Sequence, residues 1–175
     1  MLAYLFVVFA VVFRFLPHAE AFNFTPVAAA LLFFGSRQPL RRAWIPVALF
    51  AASDVLLTVG IYKYPFTVDH LVTWAWYVAA VAIGSLLASN RSPLRVGAAS
   101  LAASISFFLV SNLCVFLVWN MYPKTFAGLV TCYSLAVPFF RNTVAGDLIF
   151  TAAFFAIPAL VTLATREPAH EHAQR

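Results

Sequence analysis

Six apolar runs, separated by short gaps that hold most of the basic residues, leave this chain few places to fold other than a lipid bilayer. By run and break they are residues 1–16, ended by Pro17; 26–34, ended by Gly35; then 43–61, 71–89, 96–119 and 148–164. Most approach the ~20 residues that a helix needs to cross the hydrocarbon core. The first two are shorter, which predicts tilt, or a re-entrant element for the second. A soluble fold would have too little polar surface for a chain that is 63% hydrophobic and 10% charged, because soluble domains carry about 25% charged residues. With no water to satisfy the backbone, each run is expected to be helical. The expectation is an all-α integral membrane protein of six transmembrane helices, one domain over 1–165, with a polar cytoplasmic tail at 166–175.

The formal charge of +5 does not point to nucleic acid, because the basic residues do not gather with aromatics on one polar face. They obey the positive-inside pattern instead. Arg37, Arg41, Arg42, Arg91, Arg95, Arg166 and Arg175 fall on one side of the bilayer, against Lys63, Lys124 and Arg141 on the other. This predicts the inner (plasma) membrane with both termini cytoplasmic.

The chain also repeats a phrase. Ser53-Asp54, Tyr64-Pro65-Phe66-Thr67 and Leu71-Val72-Thr73 recur as Ser111-Asn112, Tyr122-Pro123-Lys124-Thr125 and Leu129-Val130-Thr131, each shifted by 58 residues (53 to 111, 64 to 122). In the predicted topology both Tyr-Pro-x-Thr turns lie outside and spans three and five run parallel, so the expectation is a parallel internal repeat. Transporter folds are often built this way, with the binding site between the repeats. The copies differ after the turn. Span four runs on unbroken, whereas the second copy meets Pro138 and Arg141-Asn142. Residues 125–140 are therefore expected to form a short helix or re-entrant element over the outer mouth, apart from the span at 148–164.

The polar residues within the runs gather toward the outer side. Asp54 is the sharpest of them, since a carboxylate at the centre of a span costs about 2.5–3.5 kcal/mol on insertion scales and marks a candidate site. It needs a partner, and Arg14 at similar depth is the natural one, as an ion pair or within a shared hydrogen-bond network. A structural clamp between spans one and three would use the same two residues. Asn112 is the repeat counterpart of Asp54 and is read either as a polar contact opposite it or as an interhelical clamp. The expected substrate-binding set is Arg14 and Asp54 as a polar floor, Asn112 opposite, Trp74 as an aromatic face, and Tyr122, Tyr133, Asn142 and Asp147 at the mouth. Trp74, Trp76, Tyr77, Trp119 and Tyr122 all fit an interfacial aromatic belt as well. Arg14 would suit a carboxylate or phosphate on the solute. Small-residue pairs four apart, Ala48/Ala52, Ala98/Ala102 and Ala99/Ala103, mark close helix contacts or a docking face.

Catalysis finds little support. His18, His70, His170 and His172 stand in no metal-binding frame, and no nucleophile elbow or phosphate loop is present. No cofactor and no metal is expected. Cys114 and Cys132 read as small apolar residues. The first run has no Lys or Arg before it and is interrupted by Arg14, so Ala19-Glu20-Ala21 is not expected to be a signal-peptide cleavage site.

Arg14-Phe15-Leu16-Pro17-His18 and Asn23-Phe24-Thr25-Pro26-Val27, followed by Ser53-Asp54, Ser111-Asn112, Tyr122-Pro123-x-Thr125, Gly128, Tyr133, Pro138-Phe139-Phe140, Asn142 and Gly146-Asp147, resemble a family of bacterial multi-span membrane proteins catalogued as transport candidates. That family is similar in size and pattern to the substrate-binding S components of energy-coupling-factor transporters. The resemblance implies six helices, capture of a small solute from outside, and docking onto a transmembrane coupling protein with ATPase subunits. The chain departs from the S-component pattern in one respect. Those proteins dock through an Ala-x-x-x-Ala motif on the first helix, whereas the first run here has only Ala3 and Ala10. A solitary facilitator, or docking through the alanines of spans three and five, stays open. A structural or assembly subunit of a larger membrane complex is the alternative, and a membrane-embedded enzyme acting through Asp54 and His18 is a third reading.

Overall fold

A computed structural model describes residues 1–16 and 23–171, with the side chains of 162–171 excepted. Every regular element among the described residues is helical: α1 (Leu2–Phe13), α2 (Val27–Arg37), α3 (Trp44–Val55), α4 (Val68–Ser85), α5 (Pro93–Val118) and α6 (Phe126–Glu171). A 3-10 turn, Leu40–Arg42, leads into α3, and a π-helical segment, Leu56–Ile61, continues it. Among the described residues three helical stretches are long and apolar enough to cross a membrane: Leu40–Ile61, Pro93–Val118 and Phe126–Val161. Their apolar side chains mostly face outward. Only 22% of the most apolar window of α5 is buried inside the protein, which is the pattern of a surface solvated by lipid rather than by water.

The centre of the bundle is α2. Every residue from Val27 to Ser36 is buried, and the helix packs against α1, α4, α5 and α6. Its 11 residues reach roughly 16 Å at 1.5 Å per residue, about half the ~30 Å hydrocarbon core. Two glycines let α4 come close to it. A Cβ on Gly35 would collide with the Val81 carbonyl, and one on Gly84 with the Leu32 carbonyl and Cα, so each glycine lets its helix touch the backbone of the other. The other neighbours present amphipathic stripes. Ala3, Phe6, Val7 and Ala10 are the buried face of α1, at the i, i+3, i+4, i+7 spacing. Phenylalanines interlock α1, α2 and α6: Phe6 stacks on Phe154 at 4.1 Å and meets Phe33 edge-on at 4.9 Å, and Phe33 meets Phe155 at 5.1 Å.

One expected break is missing. The elements foreseen at 125–140 and 148–164 form a single helix of 46 residues, α6, which also takes in the start of the polar tail at 166–171. It runs unbroken through Pro138. Proline removes one backbone donor and strains the preceding turn, but in an apolar surrounding the helix is the arrangement that satisfies the remaining backbone groups. The proposed cleavage site at 19–21, and His18, lie outside the described residues.

The two copies of the repeated phrase share one local feature and differ before it, since a π-helical segment precedes the first turn and regular α-helix the second. Each Tyr-Pro-x-Thr turn follows a helix and ends in a threonine that caps the next one. Thr67 and His70 form a capping box at the start of α4, and the Gly128 amide donates to Thr125 Oγ1 at 3.2 Å at the start of α6. Inside those helices Thr73 and Thr131 each donate to the carbonyl four residues back, Asp69 and Ala127, at 2.9 Å. Of the small-residue pairs, Ala103 is buried and Ala99 half-buried against the core, whereas Ala48, Ala52, Ala98 and Ala102 are exposed.

Candidate functional site

Asp54 sits one residue before the end of α3, on the same turn as Ser53, and is 7% exposed. Three donors converge there. The Arg14 guanidinium, just past α1, makes an ion pair with Asp54 Oδ1. Trp74 Nε1 donates to Oδ2 at 2.9 Å, and the Tyr77 hydroxyl reaches Oδ2 at 3.1 Å and Oδ1 at 3.3 Å. The other arm of Arg14, Nη1, donates to Ser53 Oγ at 2.5 Å and to the Phe50 carbonyl at 3.4 Å. A carboxylate buried in this way is stabilised by charge-assisted bonds from every side, and the network ties α1, α3 and α4 together.

The backbone next to it is unusual. From Leu56 to Ile61 the helix widens to π geometry, with the Tyr62 amide bonding the Leu57 carbonyl at 2.8 Å. Such segments occur often at functional sites. Its Thr58 hydroxyl lies 3.0 Å from His70 Nε2, and Phe66 stacks on the His70 ring at 4.7 Å and leans on Trp74 at 5.6 Å. Residues 62–67 are thereby held across the end of α4, behind the Trp74 that bonds Asp54.

On the open side of the network is a cavity of about 190 Å3. Arg14, Asp54, Thr73, Tyr77, Thr143 and Asp147 supply much of its polar wall, and Trp76 and Phe107 part of its apolar wall. Asn23, Thr25 and the first residues of α2 line it too. Asp147 is 4% exposed and accepts a bond from Ser104 Oγ at 2.7 Å. The turn before it approaches closely because Gly146 packs on Phe24 and Thr25, just ahead of α2. A second cavity of about 230 Å3 adjoins, sharing Asn23, Phe107 and Thr143 and adding Ser111, Asn112 and Phe140.

The structure therefore brings together Arg14, Asp54 and Asp147 in one cavity and places Asn112 in its neighbour. Asn112 donates to the Phe108 carbonyl of its own helix at 2.8 Å. Trp74 acts on Asp54 from behind the cavity wall. Tyr122, Tyr133 and Asn142, expected at the mouth, line neither of these two cavities. That placement assumed a broken segment folding back over the opening, and α6 is continuous. Tyr133 instead points along α5 and donates to the Leu109 carbonyl at 2.6 Å. Trp76 and Tyr77, read from the sequence as belt residues, are buried at 7% and 4%. They lie on the helical face shared with Ala80, Val81 and Gly84, a phase signal that the aromatic cluster Trp74-Ala75-Trp76-Tyr77 obscured. Among the described residues no three His, Cys, Asp or Glu side chains are arranged to hold a metal.

No curated protein and no solved structure matches the chain. One family model does, over residues 1–170, described as a family of unknown function, DUF6580. That match covers α1 to α6 and every residue of the two cavities, and the chain therefore belongs to the DUF6580 family.

Proposed function

We propose that this chain is a multi-pass membrane protein that binds a small solute in the cavity between Arg14, Asp54 and Asp147 and mediates its uptake. The observation that carries the reading is a cavity with charged side chains in its wall, inside a bundle whose outer surface is apolar. Charged groups at such depth are rare and mark solute or ion pathways. The short α2, which starts at the cavity and is buried from Val27 to Ser36, resembles the discontinuous helices of transporter sites. The matched caps at Thr67 and Thr125 favour a parallel repeat, with the cavities between its halves. Six alternating helices keep both termini on one side, and the arginine bias makes that side the cytoplasm. The cavity then opens outward, as in an S component, and energy would come from a separate coupling protein with ATPase subunits or from the solute gradient alone.

The second reading, a structural subunit, is favoured by one observation: the exposed Ala48 and Ala52 on α3 would suit close packing against another helix.

The test is mass spectrometry of small molecules released from protein purified in mild detergent, with Thr143→Phe in parallel. Thr143 is shared by both cavities and its hydroxyl bonds only its own helix, at Phe139, so the larger side chain fills the space without breaking the Asp54 network. A compound enriched with the wild type and lost from the variant is expected. Equal recovery from both, or no enriched compound from folded wild type, overturns the reading.

A further inference from the structure

Asp54 has a full set of partners, but the other carboxylate of the cavity does not. Asp147 is as deeply buried, yet it accepts its hydrogen bond from the neutral Ser104 hydroxyl, and no cationic side chain pairs with it among the described residues. Arg14, the one cation on the cavity wall among the described residues, is turned the other way, with both terminal nitrogens engaged by Phe50, Ser53 and Asp54. An ionised carboxylate in a low-dielectric site requires a counter-charge. The start of α2 lies beside it, and the partial positive charge of a helix N-terminus favours the ionised form without neutralising it. The rest of the wall includes Trp76, Tyr77 and Phe107. Aromatic faces next to a carboxylate are the chemistry that recognises an organic ammonium.

We propose that the solute is a small organic cation, with its ammonium group held between Asp147 and the aromatic wall of Trp76, Tyr77 and Phe107. This rests on the solute-binding reading and replaces the anionic solute that Arg14 alone suggests. The volume of about 190 Å3 suits a compact molecule, since a buried cavity of about 150 Å3 accommodates benzene.

The experiment titrates purified protein with benzylammonium, benzyl alcohol and benzoate, three probes of one shape and different charge, and reads the thermal midpoint. Benzylammonium is expected to raise it saturably and the other two not. Asp147→Asn, which keeps the size and the Ser104 contact, should weaken benzylammonium by about tenfold or more, the usual effect of losing a charged hydrogen bond. Phe107→Leu should weaken it by a smaller factor, and it carries the test if Asp147→Asn does not fold. Preference for benzoate overturns the proposal. So does equal stabilisation by benzyl alcohol, which would mean that Asp147 is protonated and neutral, or full retention of benzylammonium binding in both variants. Absence of binding by all three probes overturns it too. The Thr143→Phe comparison assumes no charge: an anion recovered there defeats the cation and leaves the solute-binding reading standing.

Discussion

Asp54 and Arg14 were legible as a pair because a charge inside an apolar run must find its counter-charge, and few candidates share its depth. Less legible was how completely they satisfy each other. Trp74 and Tyr77 join from α4, and Ser53 and Phe50 occupy the second arm of the guanidinium. The side chains are 16% and 9% exposed, so removing one partner leaves the other stranded. Asp54→Asn is expected to lower stability by about 3 kcal/mol, the low end for breaking a buried pair. Arg14→Met combined with Asp54→Asn should regain a large part of that loss, because no charge is left uncompensated. Thermal or denaturant unfolding of the two variants in detergent checks this, and strictly additive losses would count against the pairing. Asp147 was in the expected set but at the mouth, because without its neighbours an aspartate after Gly146 reads as a residue of the outer loop, and its burial beside Ser104 was not legible.

At the scale of elements, the positions of α1 to α5 followed from apolar runs and their Pro, Gly and Arg breaks. α6 did not. Pro138 and Arg141-Asn142 have the chemistry of a helix end, and tertiary packing overrides it. Phe140 contacts Phe108 of α5 at 4.5 Å, and Thr143 bonds Phe139 within the helix. The closeness of α2 and α4 was equally invisible, since nothing in the sequence distinguishes Gly35 and Gly84 from glycines with open space around them. Gly84→Ala must push α4 away from Leu32, and a loss of about 2 kcal/mol is expected, in the range for overpacking a tight core contact. Gly97→Ala meets nothing within 4 Å and should be neutral or stabilising by up to about 1 kcal/mol through helix propensity. Thermal midpoints of the two variants give the comparison. Equal effects would mean that α2 and α4 do not meet at Gly84.

For the whole molecule, the long apolar runs were enough for an all-helical chain with membrane-length helices, because a continuous apolar run satisfies its own backbone in lipid by forming a helix. They could not supply the cavity, which depends on the phases of α1, α3, α4, α5 and α6 around the short α2. The central claim is that this cavity is wet and faces outward. Thr143→Cys, placed in a background with Cys114 and Cys132 replaced by alanine, tests it most directly through labelling with a membrane-impermeant maleimide in intact cells. The account predicts labelling from outside, slowed by the added bulk of a second substitution in the cavity wall such as Ala28→Phe. Labelling only after the cytoplasmic face is exposed would contradict it, as would a thiol that stays unreactive from both sides in folded protein.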